Sequence, residues 1–162
     1  MTTEHEGEVS TILHDEISEG DMINLSAPVG GFSIENTERP QLFIGSGVGM
    51  TPLVSMFKKA ASLNVPTQMI QAVVTEDERP FAQKLDSITD NYEQAQLHLH
   101  VKDKEGYLEA KELEQYLSEQ PEIYICGGTK FLHSIINSLK ELNYDMNHVH
   151  FETFIPRLSV QV

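Results

Sequence analysis

The sequence predicts an α/β domain built on a parallel five-stranded sheet flanked by helices, preceded by the last strands of a β-rich unit. Three observations predict it. From about Pro40 onward, apolar strand-like runs alternate with amphipathic helical runs, the pattern of strands joined by helical crossovers. A glycine-rich turn, GSGVGMTP from Gly45 to Pro52, joins the first of those strands to the first of those helices. Before Pro40 the alternation is missing. There GEVSTILHDEISEGDMINLSAPVGGFSI carries short strand-like pieces, turn signals at Glu19-Gly20-Asp21 and Gly30-Gly31, and little helical period.

Taken in order, the first strand is QLFI at 41–44, an apolar run suited to burial on both faces. A helix is predicted over 51–63, with Pro52 suited to its first turn. The strand TQMIQAVVT follows at 67–75, then a helix over 80–92, the strand AQLHLHV at 95–101 and a helix over 108–117. The strand EIYICG at 122–127, a helix over 129–142 and the strand HVHFETF at 148–154 complete the set. Residues 1–37 are thus expected to be one unit and residues 38–162 another.

The 162 residues contain a single cysteine, Cys126, so no internal disulfide can form, and the expected location is a reducing cytosol. No apolar run is long enough to cross a bilayer as a helix. A formal net charge of −14 repels nucleic acid and anionic lipid, so neither is an expected partner. An anionic ligand must be held locally, by backbone amides or a helix end.

The glycine turn is the first candidate for such a site. A phosphate-binding NTPase loop needs a Lys-Ser/Thr pair after its glycines, and here Met50-Thr51 follow Gly49. The dinucleotide fingerprint starts with Gly45 and Gly47, but Met50 takes the place of its third glycine. The variant still permits a tight turn and close ligand approach, with Thr51 as helix cap and the first amides of the helix free for an anion. An ordinary strand-to-helix turn remains open.

Cys126-Gly127-Gly128-Thr129 end one strand and open a helix, which in a parallel sheet puts them at the same carboxyl edge. The thiol reads either as a small buried group or as a group at the ligand edge. Glu76 and Asp77 follow the second strand, where an acid can accept the adenosine ribose hydroxyl; the other reading is an acidic loop. In the first case NADH is expected to be preferred over NADPH. DKEGYLEAKELE imitates a calcium loop, with Gly106 and Glu112 in place, but Val101 stands where the first aspartate belongs. His98/His100 and His148/His150 have metal-compatible spacing without a Cys or carboxylate at a matching interval, and they are read as half-solvated strand histidines. No metal site and no catalytic side chain is expected.

GEVSTILHDEI, APVGGF, GSGVGMTP, YICGGTKF and HFETFIP together resemble the ferredoxin-reductase superfamily. They are most similar to the C-terminal reductase half of bacterial flavohaemoglobins of the staphylococcal type, the nitric oxide dioxygenases. The resemblance covers the whole chain and implies a ferredoxin-reductase-like NAD(P)-binding domain preceded by the last strands of a flavin-binding β-barrel. It implies that Gly47, Val48, Gly49, Met50, Thr51 and Pro52 line the dinucleotide pyrophosphate, with Cys126, Gly127 and Gly128 beside the nicotinamide. Gly7 and Ser10 would contact the FAD pyrophosphate. Glu152, Thr153, Phe154, Ile155 and Pro156 would form a tail facing the flavin ring.

Two departures are Ile155, where relatives carry Gly, and Gly31, where they carry Asp. The FAD-holding Arg-x-Tyr-Ser segment is not found, since the arginines are Arg39, Arg79 and Arg157, and no haem-binding globin precedes the barrel end. The chain is therefore expected to be a fragment that holds FAD weakly. The parent reaction implied is hydride transfer from NAD(P)H to FAD, then electron transfer to the haem of the globin domain, which with oxygen turns nitric oxide into nitrate. A flavin reductase serving another acceptor and a non-catalytic dinucleotide-binding fragment are the alternatives.

Overall fold

Apolar runs of five to seven residues, too short for helices and too apolar to lie on a surface, become the strands of one sheet. The computed structural model of the chain describes residues 8–27 and 30–153. It divides into two units, Met1–Gly31 and Phe32–Val162.

In the second unit the strands are β1 (Gln41–Ser46), β2 (Thr67–Val73), β3 (Ala95–Val101), β4 (Glu122–Gly127) and β5 (Val149–Thr153). All pair in parallel, in the order β3-β2-β1-β4-β5. The main helices are α1 (Met50–Ser62), α2 (Ala82–Asn91) and α3 (Thr129–Glu141). The helix expected over 108–117 is a single α turn, Ala110–Leu113, that tightens to 3-10 geometry at Glu114–Tyr116. An unexpected helical turn, Lys102–Glu105, follows β3. No helix among the described residues is long and apolar enough to cross a membrane.

The two-residue period of β1 divides the core. Phe43 points to one face and packs with Met50, Leu53, Phe57 and Leu85 of α1 and α2. Leu42 and Ile44 point to the other and pack with Leu113, Leu132, Ile135 and Leu139. Each fully buried large side chain contributes about 1.5–3 kcal/mol, so β1, covered on both faces, anchors the unit. Both long helices that return the chain to the sheet stop in the same way. Asn64 and Asn143 take positive φ (60° and 54°) just beyond α1 and α3, and the next amides, of Val65 and Tyr144, turn back to the carbonyls of Ala60 and Leu139.

Among the described residues of the first unit, none of the expected strand pieces is a strand. Glu8–Thr11 form one helical turn that widens at Ile12–Glu16, and a reverse turn closes with Asp21 N–H on Ser18 O at 3.1 Å. The reason lies in the backbone hydrogen bonds. A strand satisfies its amides only through a neighbour, and no described extended segment pairs with this stretch, whereas a helical turn satisfies itself.

Candidate functional site

β1 lies where the strand order reverses: the chain goes from it to β2 and β3 on one side, then to β4 and β5 on the other. The carboxyl ends of β1 and β4 are neighbours, with Gly45 opposite Cys126 in the ladder. This edge of an open parallel sheet is where ligands bind.

Each glycine of the first turn has its own cause. A Cβ on Gly45 would lie 2.6 Å from Met50 Sδ and 2.7 Å from Leu53 Cδ1, so Gly45 is bare because α1 packs over it. Met50 itself is fully buried; the close helix-to-strand contact that a fingerprint's third glycine provides is made here by a methionine resting on the first. Gly47 has φ +55° with nothing within 4 Å of its missing Cβ, so it serves the bend and leaves the backbone open. Gly49 was expected to let a ligand approach. Its φ is −60° and a Cβ there would meet Cys126 O at 2.3 Å, so this glycine lets the turn close on β4.

Two further expectations change. Thr51 is not the cap of α1: Gly49 holds that position, and Thr51 Oγ1–H donates to Val48 O at 2.8 Å inside the first turn. Pro52 does lie in that turn. The 3-10 turn Gly47–Gly49 runs straight into α1, and the Met50 amide is donated to the Gly47 and Val48 carbonyls. The amides left without an intrahelical partner are those that open the run, on Gly47 and Val48, both exposed.

At the end of β4, Cys126 is fully buried, and burial, with the Glu152 charge adding to it, pushes its thiol up to about 11. It offers the site backbone only. Gly127 is bare because Phe131 Cδ1 would lie 2.7 Å from a Cβ, and exposed Gly128 is the cap of α3, with open space where its side chain would be. Glu152 and Thr153 pair with Cys126 and Gly127 from β5 and are exposed. Ser10 is half-buried in the helical turn of the first unit. Gly7, Phe154, Ile155 and Pro156 lie outside the described residues.

Beside these turns opens a cleft of about 560 Å³, walled by Ser46 of β1, Val74, His100 and Lys102 at the ends of β2 and β3, Tyr107, and Lys130 of α3. Lys102 Nζ stands 4.7 Å over the centre of the Tyr107 ring. Lys102 and Lys130 outnumber the one carboxylate on the wall, Glu109, so in a chain of net charge −14 this cleft is locally positive and favours an anion. Sequence reasoning missed this wall, because Lys102, Gly106 and Tyr107 stand in the stretch set aside as a calcium imitation. Glu76 lies outside the cleft wall, exposed and paired with Lys104, whose hydrogen bond and charge hold the Glu76 carboxyl below its ordinary value. The unpaired acid on which the NADH preference rested therefore has a partner.

The histidines and Glu112 are occupied too. Glu112 accepts the Glu109 amide at 3.2 Å in a capping box. His98 bonds Gln68 at 3.0 Å and packs on Tyr116. At the opposite end of the sheet, buried Glu122 takes His148 Nδ1 at 2.8 Å and His150 Nε2 at 2.9 Å. Burial would raise the Glu122 carboxyl, but the hydrogen bonds from His150 and His148 outweigh it and hold it below the usual range. An ionised carboxylate only accepts, so both imidazoles donate. Among the described residues no group of three His, Cys, Asp or Glu has the geometry to hold a metal.

The sequence profile of the oxidoreductase NAD-binding domain family matches residues 43–136. The chain belongs to that family. It is 30% identical to a flavohemoprotein of Bacillus cereus over 172 aligned positions, covering 96% of the chain and 43% of the relative. The chain thus spans less than half the length of the curated relatives it matches. Among solved structures, the flavohem-like FAD/NAD-binding domain of the Vibrio cholerae nitric oxide dioxygenase superposes with a TM-score of 0.77 at 26% identity, over 93% of this chain and 65% of that one. A flavohemoglobin from Malassezia yamatoensis, 19% identical, shares the fold with a TM-score of 0.76, over 96% of this chain and 43% of that one. The expected five-stranded parallel architecture and its likeness to flavohaemoglobin reductase domains both hold.

Proposed function

We propose that this chain is the dinucleotide-handling part of an NAD(P)H:FAD oxidoreductase of the flavohaemoglobin type. In that reading electrons from NADH or NADPH pass through FAD to a globin haem of the same full-length chain, which converts nitric oxide to nitrate. The observation that carries it is the pair of open turns at the two adjacent strand ends of the reversal point, Gly47-Val48 and Gly127-Gly128, beside a cleft with two lysines.

The pyrophosphate lies against the Gly47 and Val48 amides and the first turn of α3, whose unpaired N–H groups stabilise negative charge without a formal positive one. Gly49, Met50, Thr51 and Pro52 set the shape of that turn, and Gly45 lets it sit on the sheet. Lys130 and Lys102 attract the phosphates. Tyr107 offers a ring face to the adenine, and the cleft has the size of a nucleoside site. Gly128, bare and exposed, gives the nicotinamide a close approach to the backbone, with Cys126 holding the strand end from within the core. Glu152, Thr153, Phe154, Ile155 and Pro156 are proposed to face the flavin, and Gly7 and Ser10 its pyrophosphate. When bound, the flavin supplies the step from two-electron to one-electron transfer. The proposed location is the cytosol, in keeping with one buried thiol, and the acidic surface argues against a nucleic-acid partner.

The test is a fluorescence titration of the purified chain with NADH, NADPH and FAD, followed by NADH oxidation with added FAD and ferricyanide. Saturable binding of NADH or NADPH, weak FAD binding and flavin-dependent turnover are expected. Dinucleotide binding without turnover would move the chain to a binding role. No binding of either dinucleotide at millimolar concentration would overturn the proposal.

A further inference from the structure

His100 is the most buried polar side chain on the cleft wall, 6% exposed, and it stands next to the last residue of β3. Its Nε2 lies 3.0 Å from Gly106 O. A backbone carbonyl only accepts, so Nε2 carries the proton. Gly106, at φ +83°, ends the Lys102–Glu105 turn and directly precedes Tyr107.

That turn is tied down at five points. Gly106 N–H donates to Lys102 O at 2.8 Å, Val101 N–H donates to Glu105 Oε1 at 2.8 Å, Asp103 N–H donates to Val74 O at 3.2 Å, Lys104 pairs with Glu76, and His100 holds the Gly106 carbonyl. The other Glu105 oxygen is 3.7 Å from His100 Nδ1. The first four ties fix the turn to its own backbone, to the end of β3, to the residue after β2 and to Glu76. Only the His100 bond reaches from inside the cleft to the peptide that aims Tyr107. Tyr107 is 66% exposed, so packing alone does not orient its ring.

We propose that His100 is a positioning residue for the adenosine half of the ligand, acting through Gly106 to hold the Tyr107 ring over the cleft. This rests on the dinucleotide reading above. The ligand class it serves is an adenosine carrying a phosphate or pyrophosphate; a phosphate group alone does not use the ring.

The test compares His100→Gln with His100→Asn. The amide nitrogen of Gln reaches about as far as Nε2, whereas that of Asn reaches only as far as Nδ1. His100→Asn should weaken ADP binding about tenfold, His100→Gln should restore most of it, and affinity for inorganic pyrophosphate should change little in either. Tyr107→Ala supplies a second check that does not depend on the core. If His100 acts through Tyr107, adding His100→Asn to Tyr107→Ala should cost far less than it does alone. Equal ADP binding by His100→Asn and the parent, a Gln variant no better than the Asn variant, or additive losses in the double variant would each overturn the proposal. A parent chain that binds neither ADP nor NADH would instead remove the dinucleotide reading, and this role with it.

Discussion

At the carboxyl ends of β1 and β4 the chain bares its backbone, at Gly47 and Gly128, and keeps Met50 and Cys126 inside the core. At the amino ends of the same strands it does the reverse. There Gln41 Nε2 donates to Asn36 O and Arg39 O at 2.8 and 2.7 Å, and Glu122 is held by two histidines with Arg39 at 3.9 Å. His150 stacks on Tyr124 with ring centres 4.7 Å apart, and the Tyr124 hydroxyl accepts the Glu35 amide at 3.1 Å. Among the described residues, two buried side-chain atoms without a protein partner, Gln41 Oε1 and Thr67 Oγ1, belong to that same end. The contrast shows one sheet with two differently built ends: side-chain polar groups crowd the base, while unpaired backbone groups stand open at the other edge, where the ligand is proposed to bind.

The largest effect should come from disturbing the point where the open edge depends on packing. Gly49→Val places a branched side chain against the Cys126 carbonyl, which as strand backbone cannot yield. A loss of about 3 kcal/mol or more, a fall in Tm of roughly 6–12 °C, is expected in a thermal melt. A variant that melts like the parent and loses only ligand affinity would show that Gly49 faces the ligand after all. Next comes Cys126. With its thiol raised from 9.0 to about 11, labelling by iodoacetamide at pH 8 should be about a hundredfold slower in the folded chain than in urea. Fast native labelling would place the sulfur in the open edge and break the distinction drawn there.

At the base, Glu122→Gln should cost about 2 kcal/mol, because a buried hydrogen-bonded charge is replaced by an amide that cannot accept both imidazole protons on the same terms. The pH dependence has a definite sign. The Glu122 carboxyl lies below its ordinary 4.5 in the folded chain, so its contribution is complete above that value and is lost as pH falls through the folded one. The Tm gap between parent and variant should be open at pH 5 and shrink toward pH 3. A gap that widens on acidification would contradict the assignment of Glu122 as the ionised acceptor. The smallest effect is expected for Lys104→Ala, an exposed ion pair. Melting should not change, and the NADPH-to-NADH affinity ratio should fall by about twofold as Glu76 loses its partner. An unchanged ratio would remove Glu76 from the ligand's surroundings.

The sheet was legible because its strands are short apolar runs between turn residues, and β3 and β4 fall where their runs end. Met50 as a missing third glycine was visible too, but its burial over Gly45 needed the helix to be placed. Gly49 could not be read correctly from its neighbours, since the atoms that exclude its Cβ are in β4, far along the chain. The same holds for Glu122, which is 26 and 28 positions from the histidines it binds; counting intervals left those histidines without a carboxylate. Lys102 and Tyr107 were hidden by a resemblance to another motif. The residues before Gly31 misled in a different way. Strand propensity in VSTIL has no effect where no described neighbouring strand completes the ladder.

The claim on which the rest depends is that the open edge, and not the closed base, meets the pyrophosphate. Amide NMR of the uniformly labelled chain during an ADP titration tests it residue by residue. The expected result is saturable shifts largest at Gly47, Val48 and Gly128, with smaller ones at Lys102 and Tyr107 and none at Glu122 or His150. Shifts centred on the base, or none at all at the two glycine turns while ADP is bound, would contradict it.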